Sequence, residues 1–185
     1  MKSAIFSDNE VADLITKVRP SILLQTLNQW IHIISLSLWI GGIIFFLFVF
    51  SPAAQSLPPR PGMDVLNRGR HYFQTLSWIA ISLMLITGTF NFVLRGVAAG
   101  FALGPSYYLI LGTKLFLFLA MVLHHCFQAF KYAPRIASLS APTEPHNSTW
   151  PEDLLSQWRG WLVLLKFNAA LGPIVLLLGL GLTKT

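Results

Sequence analysis

The chain has 185 residues, of which 54% are hydrophobic and only 11% are charged. A soluble domain carries roughly 25% charged residues, so this composition, with a mean hydropathy of +0.62, argues against a soluble enzyme and indicates a membrane protein. The net charge is +6, but Lys and Arg are scattered without a basic run, which favours lipid headgroups over nucleic acid as partners. Cys126 is the single cysteine, so an internal disulfide is excluded.

The N-terminal part is predicted to lie at the membrane surface. Residues from Asn9 to Val18 form a short polar helical pattern that Pro20 is expected to end, and Ser21 can cap the helix that follows. We therefore assign residues 1–28 to an interfacial segment and residues 29–185 to one transmembrane domain.

Four apolar stretches in that domain are long enough to cross a bilayer. The predicted spans cover about 29–50, 73–95, 106–130 and 159–182, each close to the ~20 residues that a helix needs. The expected fold is an all-α membrane protein, a four-transmembrane-helix up-and-down bundle with a short N-terminal interfacial helix.

The connections between the spans define two faces. Pro-rich stretches from Ser51 to Arg70 and from Ala133 to Trp158 are predicted to be long loops on one face, here called side B. The termini and the short turn from Gly96 to Pro105 are expected on the opposite face, side A.

Ionisable side chains within spans are the first candidates for function, since each costs at least ~2.5 to 3.5 kcal/mol at the bilayer centre. Lys166 can extend its amine to side B, and His71 can sit among the headgroups. Lys114 is expected to face the bundle interior, and Asn91 is expected to form a hydrogen bond to another helix. The ionisable candidates are His32, His71, Lys114, His124, His125 and Lys166.

The third span carries the strongest stripe of such residues. Lys114, Phe118, Met121 and His125 follow 4, 3, 4 spacing, which places an amine, a thioether and an imidazole on one helix face. A stripe of this kind is also compatible with ordinary core packing.

The candidates form two groups according to their depth in the membrane. Their depths can be compared because the first and third spans run parallel in an up-and-down bundle. Side A is predicted to bring together His32, Asn91 and Lys114. Side B is predicted to bring together His71, Met121, His124, His125 and Cys126.

Two cofactors fit these residue types, and the residues leave both open. Thioether, thiol and imidazole groups suit Cu(I), and the available set is Met84, Met121, His125 and Cys126. A b-type haem needs axial imidazoles in an apolar slot, which His71 with His125, or His32 alone, can supply. The sequence contains no Gly-rich phosphate loop, HExxH or GxSxG motif, so the enzyme classes that use them are disfavoured.

The spans resemble those of the copper-resistance D (CopD) family. The string WIHIISLSLWIGGIIFFLFVFSP (Trp30 to Pro52) resembles the first CopD helix, with its His, W-x-G-G and closing Pro. The string HYFQTLSWIAISLMLITGTFNFVLRG (His71 to Gly96) is similar to the next, with T-G-x-x-N at Thr87, Gly88 and Asn91. The strings YYLILGTKLFLFLAMVLHHCF and LKFNAALGPIVLLLGLGL resemble the Lys-bearing third helix and the last one.

The same helices also resemble HemJ-type protoporphyrinogen oxidases. In that family a first-span His and a third-span Lys are functionally important and a b-type haem is bound; the matching positions are His32 and Lys114. The chain lacks the Arg-rich ending of the first HemJ helix, and its T-G-x-x-N element favours the CopD side.

The resemblance implies a multi-pass protein of the bacterial inner membrane that handles copper in uptake or tolerance, beside a periplasmic copper-binding protein or other membrane subunits. The metal ligands expected on this hypothesis are His32, Met84, Met121, His124 and His125. The alternative is a haem-binding redox protein, with Lys114 as the catalytic candidate and with cofactor contacts from His32, His71, Asn91, Lys114 and His125. A third hypothesis is a small subunit that anchors a larger membrane complex.

Overall fold

The computed structural model describes residues 8–140 and 150–182, with side chains from residue 22 onward. All regular structure in these ranges is helical. Two π-helical segments, Phe46–Phe50 and Gln128–Tyr132, interrupt the α-helices. The α-helices are α1 (Asp8–Phe45), α2 (Ser51–Gln55), α3 (Pro59–Ala98), α4 (Pro105–Phe127), α5 (Ala133–Leu139) and α6 (Glu152–Gly181).

These elements join into four rods that are long and apolar enough to span a membrane. The rods are Ile22–Gln55, Pro59–Ala98, Pro105–Leu139 and Glu152–Gly181. A helix rises 1.5 Å per residue, so the shortest rod, of 30 residues, exceeds a hydrocarbon core of roughly 30 Å. The predicted fold, an all-α four-helix membrane bundle, is confirmed.

The prediction of a long loop between the first two spans is wrong. The α2 helix extends to Gln55 and α3 begins at Pro59, so the connection is only three residues long. Pro59 lies in the first turn of α3, where the missing N–H would have no helical partner anyway. Pro52 lies in the first turn of α2, directly after the π-helical Phe46–Phe50; a wider turn at this point accommodates the ring, which would clash inside a regular helix.

The third span repeats this arrangement. The π-helical Gln128–Tyr132 precedes Pro134, and α5 continues the rod to Leu139. The predicted loop from Ala133 to Trp158 is therefore helical at both ends, since α6 begins at Glu152; residues 141–149 lie outside the described residues.

Two further prolines lie inside continuous helices. The α1 helix runs through Pro20, so the predicted helix end at this residue is wrong. Pro173 lies inside α6. A proline removes one backbone hydrogen bond, and in both helices regular helix continues on either side.

The turn between α3 and α4 on side A closes as a Schellman motif. Gly100 has a φ of +56°, the left-handed conformation that glycine adopts most readily. Its N–H donates to the carbonyl of Val97 at 3.1 Å, and the N–H of Phe101 donates to the carbonyl of Gly96 at 2.7 Å. The Phe101 ring lies directly over Gly96, where a Cβ would overlap it.

An aromatic cluster joins the rods in the side B half of the bundle. The Phe46 ring centre lies 5.3 Å from that of Phe73 on α3, and 5.0 Å and 6.5 Å from those of Trp161 and Trp158 on α6. All four residues belong to the buried core. This cluster packs the first rod against α3 and α6 in the side B half.

Candidate functional site

A small cavity lies inside the bundle and is lined by all four rods. Its volume is about 30 Å³, above the roughly 10–15 Å³ that a cavity needs to hold one water molecule. The lining runs from His32 to Ile40 on α1, about 12 Å of helix. The lining residues are His32, Leu36, Trp39, Ile40, Met84, Lys114, Phe118, Met121 and Val175.

The imidazole of His32 is hydrogen-bonded to Thr87. The His32 Nδ1 atom lies 2.7 Å from Thr87 Oγ1, and the Thr87 hydroxyl donates its single proton to the carbonyl of Leu83 at 2.6 Å. While the hydroxyl donates to Leu83, its oxygen accepts from His32, an arrangement that favours the tautomer with the proton on Nδ1. In that tautomer the lone pair of the ring is on Nε2.

Lys114 lines the same cavity. Its Nζ atom would lie 3.2 Å from a Cβ built on Gly179, so the absence of a side chain at this position of α6 gives the amine room. None of the residues that line the cavity is acidic, and within residues 22–140 and 150–182 the salt bridge found is Arg68 with Asp64. The expectation that Lys114 faces the bundle interior is confirmed.

Two methionines, whose thioethers are polarisable, also line the cavity. Met84 on α3 and Met121 on α4 are both buried. Met121 was expected with the side B group, whereas the structure places it in the cavity that His32 lines. The reason is that the cavity extends over about two helical turns, so residues of neighbouring depths line one space.

Asn91 does not line the cavity but stabilises its side A end. The Asn28 side-chain amide donates to Asn91 Oδ1 at 2.8 Å and to the carbonyl of Thr87 at 3.1 Å. The predicted hydrogen bond from Asn91 to another helix is confirmed, and it ties α1 to α3 one turn from His32.

His124 joins two helices through Asn168. The Asn168 amide nitrogen donates to the carbonyl of Met121 at 3.1 Å, which leaves its Oδ1 atom to accept from His124 Nδ1 at 2.9 Å. Asn168 is buried, so both hydrogen bonds fix α4 against α6 beside Met121. His124 itself is outside the cavity lining.

The remaining sequence candidates are dispersed. His125 is buried, with its ring centre 4.9 Å from that of Trp78, and its Nε2 atom lacks a hydrogen-bond partner in the described part of the chain. His71 is exposed and its ring lies against Tyr72. Cys126 lines a groove on the outer surface. None of these three residues lines the cavity.

Sequence reasoning did not identify Thr87 as the partner of His32, or Asn28 as the partner of Asn91. The sequence does contain a signal for both pairs, in the form of two equal spacings. Asn28 and His32 are four residues apart on α1, and Thr87 and Asn91 are four residues apart on α3, so each pair lies on one helix face.

The residues that line the cavity include candidate ligands for a soft metal ion. Among the described residues, His, Cys, Asp and Glu side chains form no group of three or more that could hold a metal ion. One imidazole and two thioethers line the cavity instead. No protein-family model, curated protein or solved structure matches this chain.

Proposed function

We propose that this multi-pass membrane protein handles copper as Cu(I), and that the cavity is its intramembrane binding site. The observation that carries the proposal is that one histidine and two methionines, His32, Met84 and Met121, line this cavity. Thioether and imidazole ligands favour Cu(I) over harder metal ions.

The cavity fits a single ion in size and in donor set. A volume of about 30 Å³ accommodates one ion without separating the helices. The three donors come from α1, α3 and α4, so a bound ion would link three rods. Thr87 prepares His32 for this role, because the proton on Nδ1 leaves the Nε2 lone pair for the metal.

Lys114 favours passage of the ion over storage. Lys114 lines the same cavity and no acidic residue does, so a charged ammonium on this side chain would repel a bound cation in surroundings of low dielectric constant. A transport site must bind an ion strongly enough to admit it and weakly enough to release it.

Haem fits this packing less well. A porphyrin macrocycle is far larger than the cavity, and room for one would require the rods to move apart. The unpaired Nε2 atom of His125 is a possible axial donor, but the residue is enclosed beside Trp78 and Phe73. The experiments below therefore test copper binding against two alternatives. One is a haem redox protein with Lys114 as its catalytic residue, and the other is an anchoring subunit.

The cellular setting proposed here rests on the resemblance of the spans to CopD proteins. On that basis the chain resides in the bacterial inner membrane and exchanges copper with a periplasmic copper-binding protein. The lipid bilayer is its immediate surrounding.

Copper binding to the detergent-purified chain tests the proposal. Under anaerobic, reducing conditions we expect near-stoichiometric Cu(I) by metal analysis. We expect His32→Ala, Met84→Leu and Met121→Leu each to weaken binding at least about 10-fold, because each removes a ligand. The matched controls are His71→Ala, at an exposed histidine, and Met63→Leu, at a methionine outside the cavity; both are expected to bind as the natural chain does.

An optical spectrum of the same sample separates the alternatives. A Soret band that shifts on reduction would establish haem binding and overturn the copper proposal. A colourless protein that binds no added Cu(I) would favour the anchoring subunit.

Lys114→Met supplies a second test, in which binding is gained. Removing the ammonium and adding a thioether is expected to raise Cu(I) affinity and slow its release to a competing chelator. A lower affinity in this variant would instead identify the Lys114 amine as a ligand.

A further inference from the structure

Several polar side chains surround a buried arginine on α3. They are separate from the residues of the proposed copper site. Arg70 has only 5% of its surface exposed. Its Nη1 atom donates to Gln74 Oε1 at 2.8 Å and its Nη2 atom to Asn67 Oδ1 at 2.6 Å. Both acceptors are neutral amides, and the Nε atom has no acceptor among the described residues. Within the described residues the positive charge is thus buried without an anion, which is energetically costly.

The next turns of α3 extend this group. Gln74 accepts from Arg70 through Oε1, which fixes the orientation of its amide and leaves Nε2 as a buried donor without an acceptor. The Ser77 hydroxyl is also buried and unpartnered in the described residues. Arg70, Gln74 and Ser77 are spaced 4 and 3 residues apart, so they share one helix face.

This part of α3 faces the other rods. The Phe73 ring, between Arg70 and Gln74, lies 6.1 Å from that of Trp161 on α6 and 6.5 Å from that of His125 on α4. The indole N–H groups of Trp158 and Trp161 are buried as well and have no acceptor in the part of the chain that the structure describes. Unpaired donors therefore outnumber unpaired acceptors in this region, and a ligand that satisfies them must be an acceptor.

The depth of Arg70 is that of the membrane surface. Charged residues occur from Arg60 to Arg70, and none occurs from His71 to Leu94. Arg70 thus marks the point on side B where the polar end of α3 meets its apolar part, the level at which lipid headgroups lie.

We propose that Arg70, Gln74 and Ser77 form a binding site for a phosphate group that enters the bundle from side B. A phosphate provides hydrogen-bond acceptors for the unpaired donors, as a buried water molecule would. It also provides a negative charge opposite the guanidinium, which water does not. The phosphate belongs either to an anionic lipid headgroup or to free phosphate. None of the three residues lines the cavity of the proposed copper site, so this inference is independent of that function.

Thermal unfolding of the detergent-purified full chain tests the site. The additives are phosphatidylglycerol, phosphatidylcholine and inorganic phosphate, compared for the natural chain, Arg70→Gln and Arg68→Gln. Arg68 is the matched control because it is exposed and paired with Asp64 at 3.0 Å. We expect phosphatidylglycerol or inorganic phosphate to raise the Tm of the natural chain and of Arg68→Gln by several degrees, and to leave that of Arg70→Gln unchanged.

The pattern of responses also identifies the source of the phosphate. A rise with phosphatidylglycerol alone assigns the site to a lipid headgroup, and a rise with inorganic phosphate assigns it to the free ion. An equal rise in Arg70→Gln, or no rise with either additive in the natural chain, would overturn the proposal.

A conservative pair of variants keeps the test decisive if Arg70→Gln does not fold. Arg70→Lys retains the charge but lacks the planar guanidinium, and Gln74→Leu removes one unpaired donor while Arg70 stays. Both are expected to show a smaller Tm rise than the natural chain. An undiminished rise in both variants would contradict the assignment.

Discussion

His32 and Thr87 show how a single hydroxyl determines what a buried histidine can do. The Thr87 hydroxyl lies within hydrogen-bond distance of the Leu83 carbonyl and of His32 Nδ1, which favours donation by the imidazole through Nδ1. This hydrogen bond positions His32 and selects the nitrogen that stays free. Thr87 is therefore a positioning residue for the proposed copper site.

Replacing Thr87 by Val tests this role. The valine preserves the shape of the side chain but removes the acceptor for Nδ1–H, so the ring loses its fixed tautomer and orientation. We expect Cu(I) affinity to fall about 10- to 100-fold, the usual effect of losing the hydrogen-bond partner of a ligand, measured by competition with a chelator.

The matched control for this substitution is Thr89→Val on the same helix. Thr89 is exposed, so its replacement is expected to leave copper affinity unchanged. Equal affinities in Thr87→Val and the natural chain would show that the tautomer of His32 does not matter for binding.

At the level of the helices, glycine positions determine how closely neighbouring rods approach. A Cβ at Gly172 of α6 would overlap the Cδ1 atom of Ile40 on α1, whereas a Cβ at Gly112 of α4 would meet no atom within 4 Å. Ile40 also lines the cavity. The contact between α6 and α1 therefore sets the wall of the site.

Alanine at these two glycines is expected to have opposite consequences. Gly172→Ala overpacks the interface and should lower the free energy of unfolding by about 1–3 kcal/mol, and the displaced Ile40 should weaken Cu(I) binding. Gly112→Ala is expected to keep or slightly raise stability, since alanine is the better helix former by roughly 0.5–1 kcal/mol. Denaturant unfolding in detergent measures both; an equal stability loss in the two variants would argue against the tight contact.

For the molecule as a whole, the four rods determine the topology. The single crossing by α3 separates the Ser56–Pro58 connection from the Ala99–Gly104 turn, so the two lie on opposite sides of the membrane. The rods of 34, 40 and 35 residues are longer than the hydrocarbon core requires. The additional turns near the Ser56–Pro58 connection extend the helical bundle beyond the membrane on side B.

Cysteine labelling in sealed vesicles tests this topology. In a Cys126→Ser background, Leu57→Cys and Ala102→Cys each introduce one exposed thiol. We expect a membrane-impermeant maleimide to label the two variants from opposite sides of the membrane. Labelling of both from the same side would contradict a membrane crossing by α3.

The sequence by itself determined the fold class and the interior position of the main polar groups. Hydropathy and helix length are local properties that add along the chain, so four apolar stretches identify four spans. For the same reason Lys114 could be predicted to face inward, because an amine in lipid is too costly, and Asn91 could be predicted to pair with another helix.

The lengths of the helices at side B could not be predicted from composition. Proline-rich segments predict loops, but Pro52, Pro59 and Pro134 occupy first turns of helices, where the ring is tolerated. The π-helical segments that precede Pro52 and Pro134 have no sequence signal as clear as the prolines themselves.

Only the tertiary structure decided which side chains meet. The cavity unites His32 with Met121 and leaves out His71 and His125, and burial turns Arg70 from an expected loop charge into a core residue. Both outcomes depend on the rotation and depth of each helix relative to its neighbours. Packing of all four rods sets those quantities together, so they are not encoded in the pattern of any one span.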